Sequence, residues 1–181
     1  MLKQRALTEL EGVVLGWVWS NGAGTPYEIR KFFVSSPSPH WSGSAGAIYP
    51  LVARLQRRGL LASRPHHTGR RRGRRFSLTP GGSRALAAWL SPPLGPEVLG
   101  IPPDPLRTRL PFLGALPRRT QEKFAAEAAR ELRKDLREAR SRKARKRSAE
   151  WHEELLAEGV IAAMKARLDW MLSVAERLRR A

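Results

Sequence analysis

The chain of 181 residues has no cysteine, which excludes disulfides, thiolate metal sites and cysteine nucleophiles and fits a reducing compartment. No apolar run approaches the roughly 20 residues that a membrane span needs. Glu9 and Glu11 also fall where a secretory signal would require an unbroken apolar core. A soluble, cytoplasmic protein with no membrane partner is expected. No glycine-rich phosphate loop follows a strand, and no paired carboxylates or Ser/His/Asp arrangement stands out, so no enzyme is expected. His40, His66, His67 and His152 lack the spacing of a ligand set, so neither a metal nor another cofactor is expected.

The most informative shortage is of negative charge. No Asp or Glu occurs between Glu28 and Glu97. Residues 1–91 hold 14 Lys/Arg against 3 acids, a net of +11, and residues 92–181 hold 20 against 13, a net of +7. An Arg-favouring codon bias would explain Arg over Lys, but not the missing acids. A surface this basic attracts a polyanion, with nucleic acid the first candidate and an anionic membrane surface the second.

The stretch Ser42–Leu61 organises the front of the chain. It opens on small residues, keeps Leu51, Leu55 and Leu60 as an apolar stripe, turns Arg54, Arg57 and Arg58 another way, and stops at Gly59. The pattern predicts one helix with Ser42, Ser44 and Tyr49 near its N-terminus. With an arginine-rich hairpin behind it, such a helix suits the major groove of a duplex and reads as a recognition helix. Tyr49 has a second possible role, packing beneath the helix.

Leu7–Trp19 is apolar on nearly every side after Glu11 and predicts a core helix. After the turn cluster Ser20–Gly24, Thr25-Pro26-Tyr27-Glu28 has the form of a capping box that starts a second helix, through Ile29, Phe32 and Phe33, ending before Ser35–Pro39. Leu60–Ser63 and Arg75–Thr79 predict two short strands. Arg64–Arg74 joins them, with Gly69 and Gly73 as turn residues and Arg70, Arg71, Arg72 and Arg74 making a cationic tip. Six Arg and two His from Arg64 to Arg75, without an acid, favour DNA contact over a merely solvated loop. Thr79-Pro80 opens a fourth helix whose apolar side is Ala85, Leu86, Ala88, Trp89 and Leu90. Trp17, Trp19 and Trp89 are expected to join this first domain to a dimer.

Residues 92–117 are proline-rich, yet Leu94, Val98, Leu99, Ile101, Phe112 and Leu116 need cover. A short helix near Asp104–Leu113 is expected there, with a domain boundary at Ser91–Gly95. From Arg118 the chain turns helical through Phe124, Ala128, Leu132, Leu136 and Ala139. The basic run 140–147 is either a further phosphate contact or a charged helical stretch. Ser148–Arg180 predicts a second long helix with a seam at Leu155, Ile161, Met164, Leu168, Met171, Val174 and Leu178. Two such helices lack a third partner within the chain, which predicts a homodimer. Trp151, Met164, Trp170 and Met171 either line an effector pocket there or simply pack.

These pieces, in order, resemble the PadR family of winged-helix transcriptional regulators. The likeness is carried by Leu7–Gly16, Thr25-Pro26-Tyr27-Glu28-Ile29, Gly46-Ala47-Ile48-Tyr49-Pro50-Leu51, Arg54-Leu55, Gly59-Leu60-Leu61 and Phe76–Gly82, and more loosely by Asp104-Pro105, Phe112-Leu113-Gly114 and Leu168–Met171. The resemblance implies a mostly α protein. A winged helix-turn-helix domain (three helices, a two-stranded wing and a fourth helix, residues 1–91) is joined by the connector 92–117 to a helical dimerisation and effector region (118–181). It further implies a dimeric repressor on a palindromic double-stranded operator, with Tyr49 and Pro50 at the DNA surface, and a small aromatic or amphipathic effector. The alternative reading is a non-sequence-specific basic adaptor for nucleic acid or an anionic membrane.

Overall fold

The computed structural model describes residues 5–36, 38–68, 71–145 and 151–180; of Pro39, Thr68, Arg71 and Arg72 only the backbone is described. The chain divides into two compact units, Met1–Gly100 and Ile101–Ala181.

In the front unit, α1 (Glu9–Asn21) starts from a reciprocal capping box: the Glu11 N–H donates to Thr8 Oγ1 at 3.3 Å and the Thr8 N–H to Glu11 Oε2 at 3.0 Å. The helix buries Val14, Leu15 and Val18 and packs against α5, β2 and α4, defined below. It is not buried all round, for Trp19 is 69% exposed. The expected Thr25 box starts α2 (Pro26–Val34), with the Glu28 N–H on Thr25 Oγ1 at 3.2 Å. Ile29 and Phe33 are buried, whereas Phe32 turns outward, being one step off the inward stripe.

The recognition stretch is not a single helix. It runs as α3 (Pro39–Gly43), a 3-10 turn (Ser44–Ala47) and α4 (Ile48–Arg57). Pro50 accounts for the break, because it has no N–H for the Gly46 carbonyl and its ring crowds that carbonyl. Gly59, at φ 69°, ends α4, and the Leu60 N–H closes back on the Leu55 carbonyl at 3.0 Å.

The wing strands β1 (Leu61–Thr68) and β2 (Arg71–Leu78) are antiparallel and longer than the sequence suggests. Their ladder runs from Leu61↔Leu78 to Thr68↔Arg71, so Gly73 pairs with His66 within the ladder and is not a turn residue. Gly69 lies outside the described residues. Gly24 bridges Phe76, with N–H to carbonyl distances of 3.0 and 2.7 Å, tying the wing to the loop before α2.

Thr79 caps α5 (Pro80–Leu90), accepting from the Gly82 N–H at 2.9 Å and donating to the Gly59 carbonyl at 2.7 Å. Leu86 is buried and Ala85 and Trp89 are half-buried, but Ala88 and Leu90 face solvent because they sit off the α1-facing stripe. Trp17 and Trp89 pack on the core of this unit itself.

Further on come α6 (Pro96–Leu99), α7 (Pro105–Arg109) and a 3-10 turn (Leu110–Ala115). The short helix expected near Asp104–Leu113 is present, but tightens at Pro111, which has no N–H for an α-helical bond. α8 (Arg118–Arg145) and α9 (Trp151–Arg180) pack together in the rear unit, burying Ala125, Ala129, Leu132 and Leu136 against Leu168 and Met171. Ile161, Met164, Val174 and Leu178 join this seam, but Leu155 is exposed. The 140–147 run explains why. As far as Arg145 it forms the charged end of α8, with Arg142 on Glu138 and Lys143 on Glu158, and among its described residues only Ala144 is apolar. Lys146 and Arg147 lie outside the described residues.

Candidate nucleic-acid interface

Burial divides α4 cleanly. Ile48, Leu51, Val52 and Leu55 enter the core, which leaves Tyr49, Pro50, Ala53, Arg54 and Arg57 on the open face. Tyr49, 52% exposed, therefore does not pack beneath the helix. Arg54 and Arg57 lie three positions apart on that face, and among the described residues neither forms an ion pair. Arg57 keeps the outward side expected of it with Arg54, while the exposed Arg30 and Lys31 on α2 are cationic groups that the sequence pattern did not single out.

Arg58 serves the fold. Its guanidinium meets Glu11 at 3.0 Å and donates to the Arg5 carbonyl at 2.8 Å. Ser42 and Ser44 precede α4, on α3 and the 3-10 turn, and the Ser44 hydroxyl donates to the His40 carbonyl at 2.8 Å.

In the wing, strand alternation separates neighbouring arginines. Exposed Arg74 donates from Nε to Ser63 Oγ at 3.0 Å, and Ser63 also accepts from Gln56 of α4 at 3.1 Å. Arg75 points the other way, meeting Glu28 at 3.5 Å and donating to the Ala23 carbonyl at 3.0 Å. Arg70 lies outside the described residues. Arg71 and Arg72 are placed by their backbone in β2, near the far end of the ladder.

Electrostatics follow from these pairings. The Thr25 N–H is the foremost cause holding the Glu28 carboxyl below its ordinary value; partial burial opposes it, and the Thr25 hydroxyl, Arg75 and His66 add to it. Burial works against ionisation of Glu11, but the Thr8 N–H and Arg58 outweigh it, and its pKa also falls. Two of the few acids in the front unit are thus ionised and spoken for by arginine, and the α4 face stays cationic.

The four residues that could line an effector pocket are not all brought together, and Met171 is fully buried in the α8/α9 seam. Met164 and Trp170 are half-buried in the α8/α9 cluster, while Trp151 is exposed and stacked on His152 with ring centres 3.6 Å apart. Thirteen residues separate Trp151 from Met164 along α9, about 20 Å of helix. A cavity of about 620 Å³ lies instead in the front unit, where Leu7, Glu9, Arg58, Trp89, Leu94 and Val98 contribute to its walls. Among the described residues no group of three His, Cys, Asp or Glu is placed to hold a metal ion, and no helix is long and apolar enough to cross a membrane.

The profile of the PadR-like transcriptional regulator family matches residues 14–88. The fold is similar to that of Bacillus subtilis PadR in complex with operator DNA, at a TM-score of 0.80 and 19% identity over 94% of this chain and 99% of that one. The same relative in complex with p-coumaric acid aligns at 0.72 and 19% identity over 94% and 95%. The Vibrio cholerae virulence activator AphA aligns at 0.71 and 20% identity over 95% and 99%. No curated protein sequence matches. Residues 14–88 thus carry a PadR-like domain, and the chain is similar in fold to PadR from that domain through its rear helices.

Proposed function

We propose that this protein is a transcriptional repressor that binds a palindromic operator as a homodimer, with α4 of each protomer in the major groove and the wing near the backbone or minor groove. The observation that carries this reading is the acid-free open face of α4, with Tyr49, Pro50, Arg54 and Arg57 presented by a buried apolar face behind them. Ser42, Ser44 and the wing residues Arg70, Arg71, Arg72 and Arg74 complete the interface. The relative solved on operator DNA supports it. In this reading residues 1–91 bind DNA, 92–117 connect, and 118–181 dimerise. The exposed Trp151, Leu155, Leu156 and Val160 on α9 are the surface a second copy would cover. The relative solved with p-coumaric acid supports release by a small aromatic or amphipathic effector. Trp151 would join Met164 and Trp170 in such a site only through the second copy.

An electrophoretic shift on the chain's own promoter at about 150 mM salt tests the reading. A discrete complex that survives unlabelled random DNA is expected. Binding that disappears equally against any competitor would instead mark a non-specific basic adaptor.

A further inference from the structure

Two exposed glycines, Gly43 and Gly46, stand just ahead of α4. Five others in the front unit have evident internal reasons. Gly22 and Gly59 take positive φ, at 73° and 69°. A Cβ at Gly12 would fall 2.3 Å from the Trp89 ring, at Gly24 2.3 Å from Trp17, and at Gly82 2.1 Å from the Leu60 carbonyl oxygen. Gly43 and Gly46 share neither cause. Gly43 is helical (φ −64°, ψ −27°), Gly46 sits in the 3-10 turn without positive φ, and among the described residues a Cβ on either would meet nothing within 4 Å. Within a helix, glycine is less favourable than alanine. Among the described residues no side-chain contact offsets that cost at either position.

We propose that Gly43 and Gly46 are close-approach residues for duplex DNA. Without a Cβ at either position, the backbone of residues 43–47 can seat against the groove, and this sets the depth at which Tyr49 and Arg54 reach the base edges. Glycine recurs where a backbone must come close to a ligand, and the space a Cβ would fill here opens to the outside of the molecule. The inference rests on the reading of α4 as the recognition element and assigns these two residues a positioning role within it. The competing internal explanation is that Gly46 accommodates the ring of Pro50, four residues on. That explanation requires alanine at Gly46 to weaken the fold.

The test uses the full-length protein and a short duplex enriched by the wild type from a random-sequence pool. Gly43→Ala, Gly46→Ala and Gly46→Leu are compared in thermal melting and in binding to that duplex and to mixed-sequence DNA. The alanine variants should melt at or above the wild-type temperature. Their affinity for the enriched duplex should fall about tenfold, further for Gly46→Leu, with a change under about threefold on mixed-sequence DNA. Full affinity in a stably folded Gly46→Leu would overturn the proposal. Lower melting temperatures in the alanine variants would overturn it too, assigning the glycines to folding. If the wild type enriches no sequence at all, the recognition reading itself fails, before any variant is made.

Discussion

The guanidinium of Arg58, at the C-terminal cap of α4, lies 3.0 Å from the carboxylate of Glu11, a residue only 3% exposed on α1. This pair ties the end of the reading helix to the central helix of the domain. Arg58→Ala would leave that carboxylate with the Thr8 N–H and the charge of Arg5. The loss should be about 2 kcal/mol in chemical denaturation, below the 3–5 kcal/mol of a fully buried pair because the Arg58 side chain keeps 24% of its surface exposed. The folded-state pKa of Glu11 is depressed, so its contribution is complete above the ordinary glutamate value. It is lost as pH falls below that value and through the lowered one. Glu11→Gln should therefore flatten the acid limb of the stability profile, and an unchanged limb would count against the pair.

Gly82 gives a sharper test of packing. A Cβ there would sit 2.1 Å from the Leu60 carbonyl oxygen and 3.1 Å from the Leu78 side chain. Gly82→Ala must push α5 off the base of the wing, and a loss of about 2–3 kcal/mol is expected by urea unfolding. Gly43→Ala, tested beside it, should lose nothing.

Charge in the wing should act on all duplexes alike. Arg71→Ala with Arg72→Ala is expected to weaken binding to every sequence and to reduce the slope of log K against log salt by about 2, since each phosphate contact contributes about 0.9. Tyr49→Ala should reduce binding to the preferred sequence more than to random DNA. Equal losses on both would remove Tyr49 from readout.

In the rear unit Asp104 caps α7 and takes a two-pronged bond from Arg167 of α9, at 2.8 and 2.9 Å. Burial opposes its ionisation, but Arg167 and the Leu106 N–H hold its carboxyl below the ordinary value. Asp104→Asn should cost about 1 kcal/mol near neutral pH, a modest figure because the Arg167 side chain is 41% exposed. The difference between variant and wild type should shrink as pH falls below the ordinary aspartate range, which a pH series of urea melts would register.

Local signals were legible in the sequence. The Thr25 box, the Gly59 stop and the Thr79-Pro80 start each involve residues within a few positions of one another, and each stands as read. The buried face of α4 was equally plain from its periodicity. What escaped depends on distance or on a partner surface. Nothing near Arg58 in sequence says that its charge turns inward to Glu11, or that Arg75 is held by Glu28 while Arg74 is not. The wing ladder extends further than alternating apolar residues could indicate, because its outer pairs are polar on both faces. Leu155 read as seam until α8 proved charged at the matching end.

The central claim is that α4 enters the major groove twice, once from each of two copies. Dimethyl sulfate protection of guanine N7 on the enriched duplex measures this directly. Protected guanines should fall in two clusters separated by about 10 base pairs or a multiple of it, and both clusters should fade together in Arg54→Ala. A single cluster, or protection spread evenly along the duplex and indifferent to Arg54, would contradict it.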